Sequence, residues 1–211
     1  MVTKRSFVTG LLLALAALPV GGSAAADAPR TILVLGDSVS AGYGLTVGEG
    51  WVSLLQGRLK TQGYGYRVVN ASVSGETTTG GLARLPRALT VHKPQIVVLE
   101  LGGNDGLRGL PIETSRANLE KMIQLSKAAG AEVVLLGMKM PPNYGPRYAA
   151  GFERIFAELA RRYRLAFEPF FLEKIALVPG MLQADGLHPT AKAQPAMLDS
   201  VWPVLKPLLK R

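Results

Sequence analysis

Short aliphatic runs alternate with amphipathic stretches along most of this 211-residue chain. The runs have the length of buried strands, and the stretches between them repeat apolar residues with the period of a helix. Continuous aliphatic strands are typical of a parallel sheet that is covered by helices on both faces. The alternation therefore predicts a single three-layer α/β domain, with a doubly wound, flavodoxin-like sheet of five mostly parallel strands.

The strands and helices can be placed from this pattern. Strands are expected at Thr31–Leu35, Tyr66–Asn70, Gln95–Leu101, Ala131–Met138 and Leu165–Phe170. Helices are expected at Gly50–Thr61, Thr77–Leu89, Ile112–Ala129 and Arg147–Arg162, with a last one from about Pro189. Glycine follows the first and third helical stretches, as is common at helix C-termini. No repeat or low-complexity segment interrupts residues 27–211, which are expected to form one domain.

Residues 1–26 have the pattern of a secretory signal peptide. Lys4 and Arg5 precede the apolar run Phe7–Val20, and the small residues Ala24–Ala26 provide a cleavage site. The run is shorter than the about 20 residues that span a bilayer. We therefore expect an exported protein, periplasmic or secreted, whose mature chain begins near Asp27; a retained anchor is the alternative.

Composition excludes several chemistries. The chain contains no cysteine, so it has no disulfide, thiolate metal site or cysteine nucleophile, and with only two histidines a histidine-rich metal site is impossible. The formal net charge is +9, but the basic residues are scattered, and the densest cluster, Arg161–Arg164, ends a predicted helix where cations complement the dipole. No metal, cofactor or nucleic acid is expected, whereas the charge would suit transient association with a membrane surface or acidic substrates.

One strand end could hold a nucleophile. The run Ile32–Leu35 leads directly into Gly36, Asp37 and Ser38. A serine on a glycine-flanked turn past a strand can expose its hydroxyl beside free backbone N–H groups, as acyl transfer requires. The alternative is an ordinary strand-to-helix turn with a capping serine.

Polar residues also follow the other strands, and the carboxyl ends of parallel strands form the functional edge of such a sheet. The segments concerned are Asn70–Glu76, Gly102–Gly106, Lys139–Gly145 and Asp185–Pro189. Hydroxyls, glycines, an amide and an Asp–His pair are thus predicted to meet at one edge.

Four of these blocks, taken in order, resemble the SGNH, or GDSL, hydrolase family, and within it the secreted bacterial esterases of the thioesterase I/protease I/lysophospholipase type. The blocks are Gly36-Asp37-Ser38, the lone Gly75, Gly102-Gly103-Asn104-Asp105 and Asp185-x-x-His188. The resemblance covers essentially the whole predicted mature chain. It implies a serine esterase or thioesterase acting on fatty-acyl thioesters, aryl esters and lysophospholipids through an acyl-enzyme.

The resemblance assigns Ser38 as nucleophile, Asp185 and His188 as orienter and base, and the Ser38 N–H with Gly75 and Asn104 as the oxyanion hole. These roles also suit the residue types. Histidine is the usual base for a serine hydroxyl, because imidazole titrates near neutral pH. An amide side chain and the N–H of a glycine, which lacks Cβ, can both donate to a substrate oxygen.

Other polar residues receive lesser roles. His92 lies in a polar loop before the third strand, at the opposite end of the predicted sheet, and is not expected to be catalytic. Asp37 is expected to make structural hydrogen bonds, and Asp105 and Glu76 to act as turn or cap residues.

An apolar acyl groove is predicted from residues that follow the strand ends, each of which could instead pack a loop onto the sheet. The candidates are Leu107, Leu110, Met138, Met140, Pro141, Pro142, Tyr144 and Tyr148. The expected partner is a small-molecule acyl ester or thioester. Two alternatives remain: a carbohydrate O-deacetylase of the same broad family, and a flavodoxin-like binding module for an anionic ligand.

Overall fold

The computed structural model describes residues 1–2 and 30–211. The strands are β1 (Arg30–Gly36), β2 (Tyr66–Asn70), β3 (Ile96–Glu100), β4 (Glu132–Leu136) and β5 (Ala166–Glu168). The α-helices are α1 (Ser38–Ala41), α2 (Trp51–Thr61), α3 (Thr78–His92), α4 (Gly103–Leu107), α5 (Ile112–Ala128), α6 (Pro146–Tyr163) and α7 (Gln194–Leu205). Short 3₁₀ helices occur at Pro142–Tyr144, Ala191–Ala193 and Lys206–Leu208.

The strands form one sheet in the order β2-β1-β3-β4-β5. Every neighbouring pair is parallel. This is the flavodoxin-like order, which reverses direction beside β1 and opens a crevice at the carboxyl ends of β1 and β3. The predicted doubly wound α/β domain is confirmed.

Alternate residues of the strands face opposite layers. Leu33 and Leu35 of β1 pack in a core formed with α3, α5 and α6, whereas Ile32 and Val34 pack in a second core with α2 and α7. Because successive strand side chains point to opposite faces, a strand buried on both sides reads as one aliphatic run. The two cores fix the sheet rigidly beneath its carboxyl edge.

The ends of several elements are shifted, β4 and β5 being shorter than predicted, and three helices differ more than this. Helices α1 and α4 follow β1 and β3 directly, and they are four and five residues long, too short to show a helical period. The last helix begins at Gln194 rather than near Pro189, because Pro189 pairs with Leu182 in an antiparallel bridge. The predicted signal peptide, apart from Met1 and Val2, lies outside the described residues.

Among residues 1–2 and 30–211, no helix combines the length and the apolar character needed to cross a membrane.

Candidate active site

The turn after β1 places Ser38 as the first residue of α1. Asp37 caps this helix by accepting a hydrogen bond from the Val39 N–H at 3.0 Å, so the cap is the aspartate rather than the serine. The Ser38 N–H has no acceptor within the helix, because the first N–H groups of a helix are unpaired. Gly36 is required here, since a Cβ would lie 2.5 Å from Glu100 Oε2 and 2.8 Å from Ser40 Cβ.

A hydrogen-bonded series joins Ser38 to the segment before Pro189. The Ser38 Oγ lies 3.0 Å from His188 Nε2, and His188 Nδ1 lies 2.7 Å from Asp185 Oδ2. Asp185 Oδ1 accepts from the N–H groups of His188 and Leu187 at 3.0 and 2.9 Å. The N–H of His188, its ring and the N–H of Leu187 lower the pKa of Asp185 to about 2. Asp185 is therefore a carboxylate at neutral pH and holds the imidazole in place.

The loop that carries this pair is itself fixed. The Gln183 N–H donates to the His188 carbonyl at 2.7 Å, and the Gln183 side chain donates to the Tyr43 carbonyl at 2.8 Å. The Tyr43 ring packs against the His188 ring, with centroids 4.4 Å apart. These contacts set the position of the imidazole over the turn after β1.

Gly75 and Asn104 approach Ser38 from the ends of β2 and β3. Gly75 has a φ of +78°, and its carbonyl accepts from Arg108 at 3.0 Å. Within the described residues, no hydrogen bond uses the Gly75 N–H. Asn104 Nδ2 donates to the Glu76 carbonyl at 3.0 Å and to Asp37 Oδ2 at 3.2 Å. These bonds orient the amide, so donation to a substrate oxygen requires a shared bond or release of the longer contact to Asp37.

The carboxyl groups of Asp37 and Glu100 are buried at the turn between β1 and α1. Glu100 Oε2 accepts from Ser40 Oγ at 2.6 Å and from the Asp37 N–H at 3.3 Å, and Trp51 donates to the same Ser40 hydroxyl at 3.2 Å. Burial, together with the nearby Asp37 carboxyl, raises the pKa of Glu100 well above its usual value. Burial also raises the pKa of Asp37 to about 6, although the Val39 N–H and His188 lower it. Through these two hydrogen bonds, Glu100 fixes Asp37 and Ser40, which lie on either side of Ser38 in the sequence.

An apolar cavity of about 630 Å³ opens beside Ser38 and His188. Of the residues predicted to form the acyl groove, Leu107, Met138, Met140 and Pro141 line this cavity. Leu110, Tyr144 and Tyr148 do not: both tyrosines line a separate cleft of about 550 Å³, where the Tyr144 hydroxyl donates to the Leu107 carbonyl at 3.1 Å. The Pro142 side chain lies outside the described part of the structure.

Much of the cavity wall comes from the segment after β5, which the sequence analysis did not assign to the site. The wall residues from this segment are Phe170, Phe171, Leu172, Ala176, Leu177, Leu182 and Leu187. The sequence feature that could have revealed these residues is the high apolar content of an irregular segment that follows a strand at the carboxyl edge of the sheet. Glu100 was missed as well, although an acid at the end of an aliphatic strand is a recognisable signal.

The remaining candidates are placed away from the reacting groups. His92 ends α3, at the opposite edge of the sheet. Asp105 is buried and accepts from the Thr78 N–H at 2.9 Å, so it caps α3 from a neighbouring helix. Glu76 pairs with Arg84 at 2.6 Å. In the part of the chain that the structure describes, no three acidic or histidine side chains gather as a metal site requires.

A hydroxyl, an imidazole and a carboxylate in series, beside an apolar cavity at the carboxyl edge of a doubly wound sheet, define a serine hydrolase. Residues 34–195 match the model of the GDSL-like Lipase/Acylhydrolase family. The chain therefore belongs to the GDSL, or SGNH, hydrolases and is an enzyme that hydrolyses carboxylic esters.

Individual relatives agree with this assignment. The chain is 56% identical over 182 residues to Esterase TesA of Pseudomonas aeruginosa, covering 86% of this chain and 90% of the relative. It is 43% identical over 187 residues to Thioesterase 1/protease 1/lysophospholipase L1 of Escherichia coli K12, covering 89% and 87%. A crystal structure of TesA superposes with a TM-score of 0.83 at 56% identity, covering 85% of this chain and all of the other.

Proposed function

We propose that the enzyme hydrolyses acyl esters and thioesters through an acyl-enzyme on Ser38, with His188 as base and Asp185 as orienter. The observation that carries this assignment is the continuous series of 3.0 and 2.7 Å contacts from the Ser38 hydroxyl through the imidazole to the carboxylate. A serine hydroxyl needs such a base to become nucleophilic. No bound metal or cofactor is required.

In the acylation step, Ser38 Oγ bonds to the carbonyl carbon of the substrate and its proton passes to His188 Nε2. The carbonyl oxygen becomes an oxyanion, which the N–H groups of Ser38 and Gly75 and the amide of Asn104 stabilise. When the tetrahedral intermediate collapses, the bond to the leaving alcohol or thiol breaks. The imidazolium then protonates that leaving group.

In the deacylation step, His188 takes a proton from water, and the hydroxide attacks the acyl carbon. The same donors stabilise the second oxyanion, and the proton returns to Ser38 Oγ as the carboxylic acid leaves. Throughout, the carboxylate of Asp185 stabilises the imidazolium and fixes the ring tautomer.

The cavity favours substrates with an extended acyl group. About 630 Å³ lined largely by aliphatic and aromatic side chains exceeds what an acetyl group needs. Met138 and Met140 border it, and methionine adapts to chains of varied shape. Fatty-acyl thioesters, aryl esters and lysophospholipids are therefore the proposed substrate classes, in keeping with the names of the relatives.

The two alternatives are less well supported. A carbohydrate O-deacetylase would use the same reacting groups but would not need an apolar cavity of this size. A binding module for an anion would meet the Asp37 side chain at the turn after β1 and would leave the Asp185–His188 pair without a role. We also propose that residues 1–26 direct export, so that the enzyme acts in the periplasm or outside the cell.

A chain-length series tests this function. We expect kcat/KM for p-nitrophenyl esters to rise from acetate toward medium or long acyl chains, and Ser38→Ala to remove turnover of all of them while the protein remains folded. Preference for acetate alone would favour the deacetylase. Undiminished turnover by Ser38→Ala would reject the acyl-enzyme.

A further inference from the structure

Exposed apolar side chains are concentrated around the mouth of the active-site cavity. Tyr43, Leu177 and Leu187 line the cavity, and Val73 and Val178 are chain neighbours of lining residues; all five are between 43% and 96% exposed. We call these five residues the apolar rim. Of the other large apolar side chains exposed in the described chain, Val91 lies at the opposite edge of the sheet and Val47 on the loop after α1.

The rim is held by firm structure, so its exposure is not the result of a loose loop. Phe171 and Ile175 are almost fully buried beneath the segment that carries Leu177 and Val178. Backbone bonds close that segment, from the Ala176 N–H to the Leu172 carbonyl at 2.9 Å and from the Val178 N–H to the Ile175 carbonyl at 3.1 Å. Leu177 is therefore presented outward on a fixed support, at 96% exposure.

A substrate bound within the cavity does not explain the whole rim. Val73 and Val178 do not line the cavity, so a molecule seated in it gives no reason for their exposure. Clustered exposed apolar residues on a soluble domain usually mark a surface that binds a protein or a membrane. Here the cluster is continuous with the cavity that would accept an acyl chain.

Cations accompany the apolar rim. Arg108 is exposed and donates to the carbonyl of Gly75, a cavity residue. Lys139 lines the cavity with its side chain 41% exposed, and its Nζ also pairs with the half-exposed Glu153 at 3.1 Å. A phospholipid surface offers phosphates to such cations and acyl chains to the apolar residues between them. This combination of charge and apolar surface favours a lipid surface as the occupant.

We infer that the apolar rim docks the enzyme on a phospholipid surface, so that an acyl chain passes from the lipid into the cavity without crossing water. The inference rests on the proposed function and adds that the enzyme takes its acyl substrate from a lipid surface rather than from free solution. The docking step itself requires no catalysis.

The test measures binding to vesicles of mixed phosphatidylcholine and phosphatidylglycerol by co-sedimentation. Val73→Ser and Val178→Ser are examined singly and together, with Val91→Ser as the matched control because it removes an exposed valine far from the rim. All forms are purified in the same way after export. We expect the double variant to lose about tenfold or more in partitioning, since each valine loses apolar area that docking buries, and Val91→Ser to bind like the wild type.

Turnover of a soluble short-chain ester is measured in parallel, and we expect it to be unchanged in all variants. Wild-type protein that fails to bind vesicles, rim variants that bind undiminished, or an equal loss in Val91→Ser would each overturn the docking surface. Absence of ester turnover in the wild type would instead reject the proposed function. The two outcomes can be told apart, because vesicle binding is measured independently of ester turnover.

Discussion

Replacing Glu100 by glutamine should make the stability of the protein less dependent on pH. The Glu100 side chain is completely buried, and Oε2 accepts from Ser40 and from the Asp37 N–H. In the described residues, Oε1 has no hydrogen-bond partner. A glutamine keeps an oxygen for the two donors but cannot ionise. The difference between the variant and the wild type therefore measures how ionisation of Glu100 changes the free energy of unfolding.

The sign follows from the raised pKa of Glu100, whose first cause is burial and second the Asp37 carboxyl. In the unfolded chain the carboxyl ionises near its ordinary pKa, whereas in the folded protein it stays protonated to higher pH. Between those two values the unfolded state binds fewer protons, so the free energy of unfolding falls as pH rises, by about 1.4 kcal/mol per pH unit. As pH rises above the ordinary glutamate pKa, the wild type should therefore lose stability that Glu100→Gln keeps.

Asp37 acts in the same direction. Burial raises its pKa to about 6, so its ionisation also lowers the free energy of unfolding as pH rises. Glu100→Gln retains Asp37, so the variant should keep this smaller part of the pH dependence.

The assay is urea unfolding at pH 5, 6 and 7, with Glu132→Gln as the control, because Glu132 is an exposed glutamate on β4. The free energy of unfolding of Glu132→Gln should change with pH as that of the wild type does. If the free energy of unfolding of Glu100→Gln shows this same pH dependence, Glu100 does not have a raised pKa in the folded protein.

Further substitutions address the reacting groups, with His92 as a control residue. Asn104→Ala should lower kcat by about 10²–10³ with little change in KM, because its amide would bind mainly the oxyanion; weaker binding at unchanged kcat would contradict this. His188→Gln should remove activity while His92→Gln leaves it near wild type, because of the two imidazoles only that of His188 contacts the Ser38 hydroxyl. Asp185→Asn should be damaging because an amide favours the wrong ring tautomer, and full activity would show that Asp185 does not orient the base.

The sequence predicted the sheet most clearly at β1, β3 and β4, because these strands are buried on both faces and each contains an aliphatic run. It pointed to Ser38, Gly75, Asn104 and His188 because each follows a strand, and the parallel topology brings these strand ends to one edge. The short helices α1 and α4 escaped detection because a helix of four or five residues shows no periodicity.

The cavity wall was harder to predict, since it depends on contacts between distant segments. Tyr144 follows β4 at the functional edge, as the groove prediction required, but its hydroxyl binds the Leu107 carbonyl and its ring lines the other cleft. Leu177 lies in an irregular segment whose direction is set by the burial of Phe171 and Ile175, and no local pattern encodes that.

The central claim is that Ser38 forms the covalent intermediate, and one measurement tests it directly. The protein is treated with an alkyl phosphonate ester that reacts with activated serines, and the site of the adduct is found by peptide mass spectrometry. We expect a single adduct on Ser38, none in Ser38→Ala, and loss of ester turnover in proportion to labelling. An adduct on Ser40 or another serine that accounts for the lost activity would contradict it.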